Sequence, residues 1–152
     1  MEITEYSPQY KNDFIRLNTA WIEKFFKMEK DDYDELNHVD ELIANGAMIL
    51  FCKSNEEVIA TGMVMPLGND EWEICKFATD EQKRGRGAGS AVFRACMDYA
   101  ICRGAKRLIV LSNSRLVSAL HVYGKFGFTE IPIDNKIHNY ERADRQFEYV
   151  VN

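Results

Sequence analysis

The stretch that most constrains this chain is Arg84-Gly85-Arg86-Gly87-Ala88-Gly89, because it stands between a strand-like run and a helix-like run. Before it, Glu73-Ile74-Cys75-Lys76-Phe77-Ala78-Thr79 alternates polar and apolar residues of β-compatible types. After it, Val92, Ala95, Cys96 and Tyr99 recur at i, i+3, i+4 and i+7, the spacing of one helix face. A strand that enters a helix through glycines bares backbone N–H groups, and the helix start adds the positive end of its dipole. Such a junction grips anions, and two arginines add charge there.

Spacing narrows the ligand. A P-loop needs Gly-Lys-Ser/Thr after its second glycine, with the lysine on the phosphates and the hydroxyl on magnesium. Here Gly89 runs directly into Ser90. A dinucleotide fingerprint needs a third glycine two residues past the second and an acidic ribose ligand about 20 residues on. Gly85, Gly87 and Gly89 alternate instead, and they sit past the middle of the chain. What is left, Arg84-x-x-Gly87-x-Gly89, resembles the Gln/Arg-x-x-Gly-x-Gly/Ala pyrophosphate loop of the GNAT-type N-acetyltransferases.

A second segment supports the resemblance. Leu108-Ile109-Val110-Leu111 reads as a short buried strand, interrupted by the turn and capping residues Ser112-Asn113-Ser114. Leu116, Ala119, Leu120 and Tyr123 then recur at helical spacing, and Gly127 stands near the C-cap. The string Ala119-x-x-x-Tyr123-x-Lys125-x-Gly127-Phe128 is similar to the second coenzyme A motif of the same family. The strand over residues 73–79 resembles the Glu-Leu-x-Lys-Met-x-Val strand of one bacterial GNAT subgroup. Trp21-Ile22-Glu23 with Phe25-Phe26, and Asn139-Tyr140-Glu141-Arg142-Ala143-Asp144, resemble that subgroup's first helices and closing segment. The chain departs from many relatives at Glu81, where proline is common, and at Ala88 and Leu116.

Composition sets outer bounds. With 152 residues the chain fits one domain, 1–152, large enough to bury about two-thirds of its unfolded surface. A net charge of -5 argues against a nucleic-acid partner, which usually selects a basic footprint. Lys83, Arg84, Arg86, Arg103, Lys106 and Arg107 read as one local basic zone suited to nucleotide phosphates. No apolar run is long enough to span a bilayer and no signal-peptide pattern opens the chain, so a cytoplasmic protein without a membrane partner is expected. Cys52, Cys75, Cys96 and Cys102 lack metal-ligand or disulfide spacing and read as buried free thiols, and the three histidines are scattered. No metal is expected.

Residues 2–6 read as a first strand and Pro8 as the start of a helix carrying Phe14, Leu17, Trp21 and Phe25 on one stripe. Residues 31–46 give a second helical region. Its Asp31, Asp32 and Asp34 read as a solvated capping run, with attraction of a cationic amine as the alternative. Residues 47–53, 58–66 and 72–79 read as antiparallel strands joined at Ser54-Asn55 and Gly68-Asn69-Asp70, with late strands over 129–131 and 147–151. Strands followed by a strand-helix-strand unit give an α/β layer. The resemblance specifies it as the GNAT fold, a mixed and mostly antiparallel sheet flanked by helices, whose central strands splay to admit pantetheine.

The resemblance also implies roles. Acetyl-CoA is the cosubstrate. Arg84, Gly85, Arg86, Gly87, Ala88, Gly89 and Ser90 hold its pyrophosphate, and the backbones of Phe77, Ala78 and Thr79 hold its carbonyl and pantetheine. Asn113 contacts pantetheine or caps the next helix. Tyr123 protonates the departing thiolate, and a phenol matches that task in pKa, although it could also simply pack. Glu73 takes a proton from the amine directly or through water, with Glu71 as competitor and a solvent-facing strand residue as the bland alternative. Trp21, Phe25, Phe26 and Tyr33 line the acceptor pocket or form a core stripe. The function implied is acetyl transfer to a primary amine, on a small molecule or a peptide. The alternative is a non-catalytic acyl-CoA sensor. Late strands in this fold often pair between subunits, which leaves a homodimer open.

Overall fold

The computed structural model describes residues 1–83, 85–133 and 142–152. Strand β1 (Glu2–Glu5) leads through a 3-10 turn (Pro8–Tyr10) to helix α1 (Lys11–Phe25), then α2 (Lys30–Asn37) and α3 (Val39–Ala44). Three strands follow, β2 (Met48–Ser54), β3 (Glu57–Gly68) and β4 (Glu71–Thr79). After a second 3-10 turn (Glu81–Lys83) come α4 (Ala88–Cys102), β5 (Arg107–Ser112), α5 (Val117–Lys125), β6 (Thr129–Ile131) and β7 (Arg145–Val150).

The seven described strands form one sheet in the order β1-β2-β3-β4-β5-β7-β6. Asn55 and Glu56 both take positive φ, as do Asn69 and Asp70. These are the tight two-residue hairpins whose twist matches antiparallel strands, so β2-β3-β4 folds as a meander. Residue pair β4 and β5 is parallel, because α4 carries the chain back across the sheet between them. Alternation along β2 sends Leu50 and Cys52 to the layer under α4, with Ile74, Val92, Phe93 and Cys96. Ile49 and Phe51 go to the opposite layer, under Phe14 and Leu17 of α1 and Leu36 and Val39 of the next two helices.

Three expectations change. The region 31–46 is two helices, broken at His38, whose ψ of 33° leaves helical geometry and whose Nδ1–H donates to the Asp34 carbonyl at 2.6 Å. The acidic run is not uniformly solvated: Asp32 is fully buried. Cys52 and Cys96 are buried free thiols, but Cys75 is only half-buried and Cys102, the last residue of α4, is exposed.

Candidate active site

Pairing between β4 and β5 covers only Glu71–Glu73 against Arg107–Ile109. Beyond Glu73 the edge of β4 meets no strand of the described chain, so its polar backbone groups border a cavity of about 580 Å³. Residues 73–79 of β4, the loop 85–90 and Tyr123 all line that cavity.

Strand β4 departs from the alternation its sequence suggests. Its register against β3 shifts between Thr61 and Met63, and Lys76 takes a φ of 52°, the signature of a bulge. Strict alternation would set Glu73, Cys75, Phe77 and Thr79 on one face. The extra residue instead puts Lys76 with Cys75 and Ala78 toward α1 and α2, where its ammonium reaches Asp32 at 3.3 Å. Phe77 turns to the opposite layer, its ring 5.5 Å from that of Phe93.

At the glycine loop, Gly87 is the N-cap of α4 with a φ of 79°, a conformation that L side chains disfavour. A Cβ on Gly89 would stand 2.9 Å from Thr79 Oγ1, so glycine lets the first turn of α4 lie directly on β4. Arg86 lines the cavity at this end. Arg84 lies outside the described residues, as do His138 and the stretch 139–141. The basic zone is not one patch. Lys83 and Arg86 precede α4, whereas Arg103, Lys106 and Arg107 follow it, about 22 Å away along a 15-residue helix. Those last three engage Tyr99, Asp70, and both Glu71 and Glu148.

The two carboxylates of β4 differ. Glu71 accepts from Arg107 NH1 at 2.9 Å and does not line the cavity. Glu73 lines it and is 1% exposed, so it is not a solvent-facing strand residue. Tyr123, on α5, is packed among Phe93, Phe128 and Phe147 and donates its hydroxyl to Ser112 Oγ at 3.5 Å. Burial pushes its pKa up to about 12, against a small lowering by Ser112, so the phenol keeps its proton at neutral pH.

Asn113 does not cap α5, whose N-cap is Leu116. Its Oδ1 accepts from the Arg115 N–H at 2.8 Å and its Nδ2 donates to the Arg142 carbonyl at 2.5 Å, fixing the end of β5 at the cavity wall. Trp21 and Phe25 line the cavity; Phe26 and Tyr33 border a separate shallow depression.

The sequence reading missed an ionic cluster at the α1–α2 side. Asp32 accepts from Arg142 at 2.5 and 2.7 Å, from Lys76, and from the Glu29 N–H at 2.9 Å. Burial alone would raise the Asp32 pKa, but the Arg142 and Glu29 hydrogen bonds and the Lys76 charge outweigh it and hold the carboxyl below its ordinary value. Lys76 and Arg142 both stood in quoted motifs, yet nothing in spacing joined them to Asp32.

A glycine junction on a splayed parallel pair, with a buried tyrosine beside the opening, forms one continuous cleft. Residues 14–128 match the acetyltransferase (GNAT) family, and the chain belongs to it. It is 25% identical over 117 residues to the uncharacterized N-acetyltransferase YobR of Bacillus subtilis strain 168, across 75% of this chain. The chain spans 47% of that protein's length. The fold is that of a GNAT-family acetyltransferase from Staphylococcus aureus Mu50, with a TM-score of 0.89, 17% identity and 99% of each chain covered. It also matches YncA of Salmonella typhimurium, solved with its cofactor acetyl-CoA, at a TM-score of 0.77 and 13% identity over 100% of this chain and 94% of that one.

Proposed function

We propose that the protein transfers an acetyl group from acetyl-CoA to the amine of an acceptor by direct attack in a ternary complex. The observation that carries this reading is the cavity itself, which runs from the glycine loop at α4, through the splay of β4 and β5, to Glu73 and Tyr123. The fit to coenzyme A rests on the glycine loop: Gly85, Gly87 and Gly89 line the opening without side chains of their own, where the first turn of α4 has backbone N–H groups with no partner inside the helix.

Residues 84–90 hold the pyrophosphate in this reading, and Asn113 with the edge of β4 at Phe77, Ala78 and Thr79 holds pantetheine and the carbonyl oxygen, where backbone N–H groups offset developing charge. Acetyl-CoA supplies the activated acyl group. Glu73 takes the proton of the attacking ammonium, directly or through water, while Glu71 is committed to Arg107. Tyr123, still protonated, donates to the leaving sulfur. The reading includes a cytoplasmic protein, and the likeness of the β4 sequence to the Glu-Leu-x-Lys-Met-x-Val strand supports that subgroup.

Two measurements test the reading. Acetyl-CoA at about 100 times its Kd stabilises a binding protein by about 2.7 kcal/mol. That amounts to roughly 5–10 °C in Tm for a chain of this size. Thiol release that depends on an added amine then separates transfer from mere binding. No stabilisation sinks the proposal, and stabilisation without amine-dependent thiol release identifies an acyl-CoA sensor instead.

A further inference from the structure

The charges of the acceptor end are arranged front to back. Lys76, Arg115 and Arg142 line the cavity. Asp32, Glu29 and Glu35, which pair with Lys76 and Arg142, do not line it and lie behind them on or just before α2. Lys76 and Arg142 meet on one oxygen of Asp32, at 3.3 and 2.5 Å, and their side chains are 4% and 11% exposed. Arg142 continues the wall over the rings of Trp21 and Phe26, at 5.5 and 6.0 Å. Arg115 faces that same Phe26 ring from 5.7 Å and is steadied by a hydrogen bond from its NH1 to the Phe25 carbonyl at 3.0 Å. Among the described residues Arg115 has no carboxylate partner, so its remaining donors are available at the cavity mouth.

Among the described residues the lining carboxylates are Glu73, at the closed end of the splay, and Glu81, which pairs with Lys24 of α1 near the glycine loop. Of the three lining cations on this side, Lys76 and Arg142 are balanced from behind by Asp32, Glu35 and Glu29, so the charge that an acceptor meets without a carboxylate partner among the described residues is that of Arg115. Like charges held close in a partly desolvated cleft repel strongly. An anionic group on the acceptor meets the opposite situation, because guanidinium groups present planar pairs of donors that match a carboxylate. Lys76 and Arg142 already share their charge with Asp32, Glu35 and Glu29, so Arg115 sets the demand and the wall suits a monoanion rather than a phosphate dianion.

We propose that the acceptor is an amino carboxylate, an amino acid or short peptide, whose amine goes to Glu73 and whose carboxylate goes to the wall of Lys76, Arg142 and Arg115. The proposal rests on the acetyl-transfer reading above. Atoms balance as in any such transfer: the amine nitrogen forms a bond to the acyl carbon, the carbon–sulfur bond breaks, and the thiol keeps the proton. The carboxylate stays unreacted and serves recognition.

The test is a thiol-release screen over the proteinogenic amino acids, each paired with its own carboxamide, run beside calorimetric titration of the same pairs onto CoA-saturated protein. The expected result is that for the best acceptor the acid exceeds the amide by about tenfold or more in kcat/KM or in affinity, the usual effect of a charged hydrogen-bonded contact. In Arg115→Ala, a change at an exposed side chain, the acid-to-amide ratio falls below about threefold. A merely structural role for Arg115 would lower both compounds alike and keep the ratio. Amides equal to or better than acids overturn the carboxylate assignment while leaving acetyl transfer standing. Binding of acetyl-CoA with neither acids nor amides bound or turned over also overturns it, and an undiminished ratio in Arg115→Ala removes the wall. Failure to bind acetyl-CoA at all strikes the underlying function.

Discussion

Asp32→Ala removes a carboxylate that two buried cations share. Asp32 is fully buried, and the side chains of Lys76 and Arg142 are nearly so. Deleting Asp32 leaves Lys76 with Glu35 and Arg142 with Glu29, both cations largely desolvated and only partly compensated, a loss of up to about 3–5 kcal/mol. At 2–4 °C per kcal/mol, the expected fall in Tm is roughly 6–20 °C. Urea unfolding should report the same loss as a lower midpoint with little change in slope. The neighbouring Asp31 is exposed on the same turn, so Asp31→Ala is the control and should stay within about 0.5 kcal/mol. The pH dependence fixes the sign. The folded carboxyl titrates below its ordinary value of 3.8. Its contribution is therefore complete above that value and is lost as pH falls through the folded pKa. The gap between wild type and Asp32→Ala should hold from pH 7 to about 5 and shrink below about pH 4. A cost under about 1 kcal/mol, flat with pH, is the behaviour of a solvated pair and would refute the buried-cluster reasoning.

Tyr123→Phe should lower kcat by about a hundredfold or more with KM for acetyl-CoA within about threefold, as loss of a proton donor does; equal falls in kcat and cofactor affinity would point to packing. Because burial pushes Tyr123 up to about 12, the wild-type rate should show no alkaline decline from its ionisation up to about pH 10, as stopped-assay pH profiles can check. Gly89→Ala drives a methyl group to 2.9 Å from Thr79 Oγ1 and should cost about 1–3 kcal/mol in chemical unfolding, with Thr79→Ala in the same chain recovering much of it. Phe93→Ala, at 0% exposure and in ring contact with Phe77 and Tyr123, should cost about 3–5 kcal/mol and also reduce turnover, since β4 and α5 both rest on that ring.

Local signals in this chain were strong wherever one short segment contains both cause and effect. The hairpins, read at Ser54-Asn55 and Gly68-Asn69-Asp70 and found at Asn55-Glu56 and Asn69-Asp70, the helix that follows the glycine run and the helical face of Tyr123 are all of this kind. The bulge at Lys76 is different. A positive φ on a lysine is locally disfavoured, so residue-by-residue propensity argues for regular alternation there. It persists because Lys76 gains buried ion pairs with Asp32 and Glu35, residues some forty positions earlier, whose own burial depends on α2 lying against that face of the sheet. The same dependence hid the burial of Asp32, which caps α2 by accepting from the Glu29 N–H, as an acidic residue there suggests, but is closed over by Arg142, 110 residues on. Charges that pattern alone assigns to solvent are thus what turns Phe77 away from Lys76 and puts two cations on the cavity wall. On the proposed reading, acceptor selectivity follows from the long-range ionic pairing, while the proposed coenzyme A end follows from a local glycine spacing.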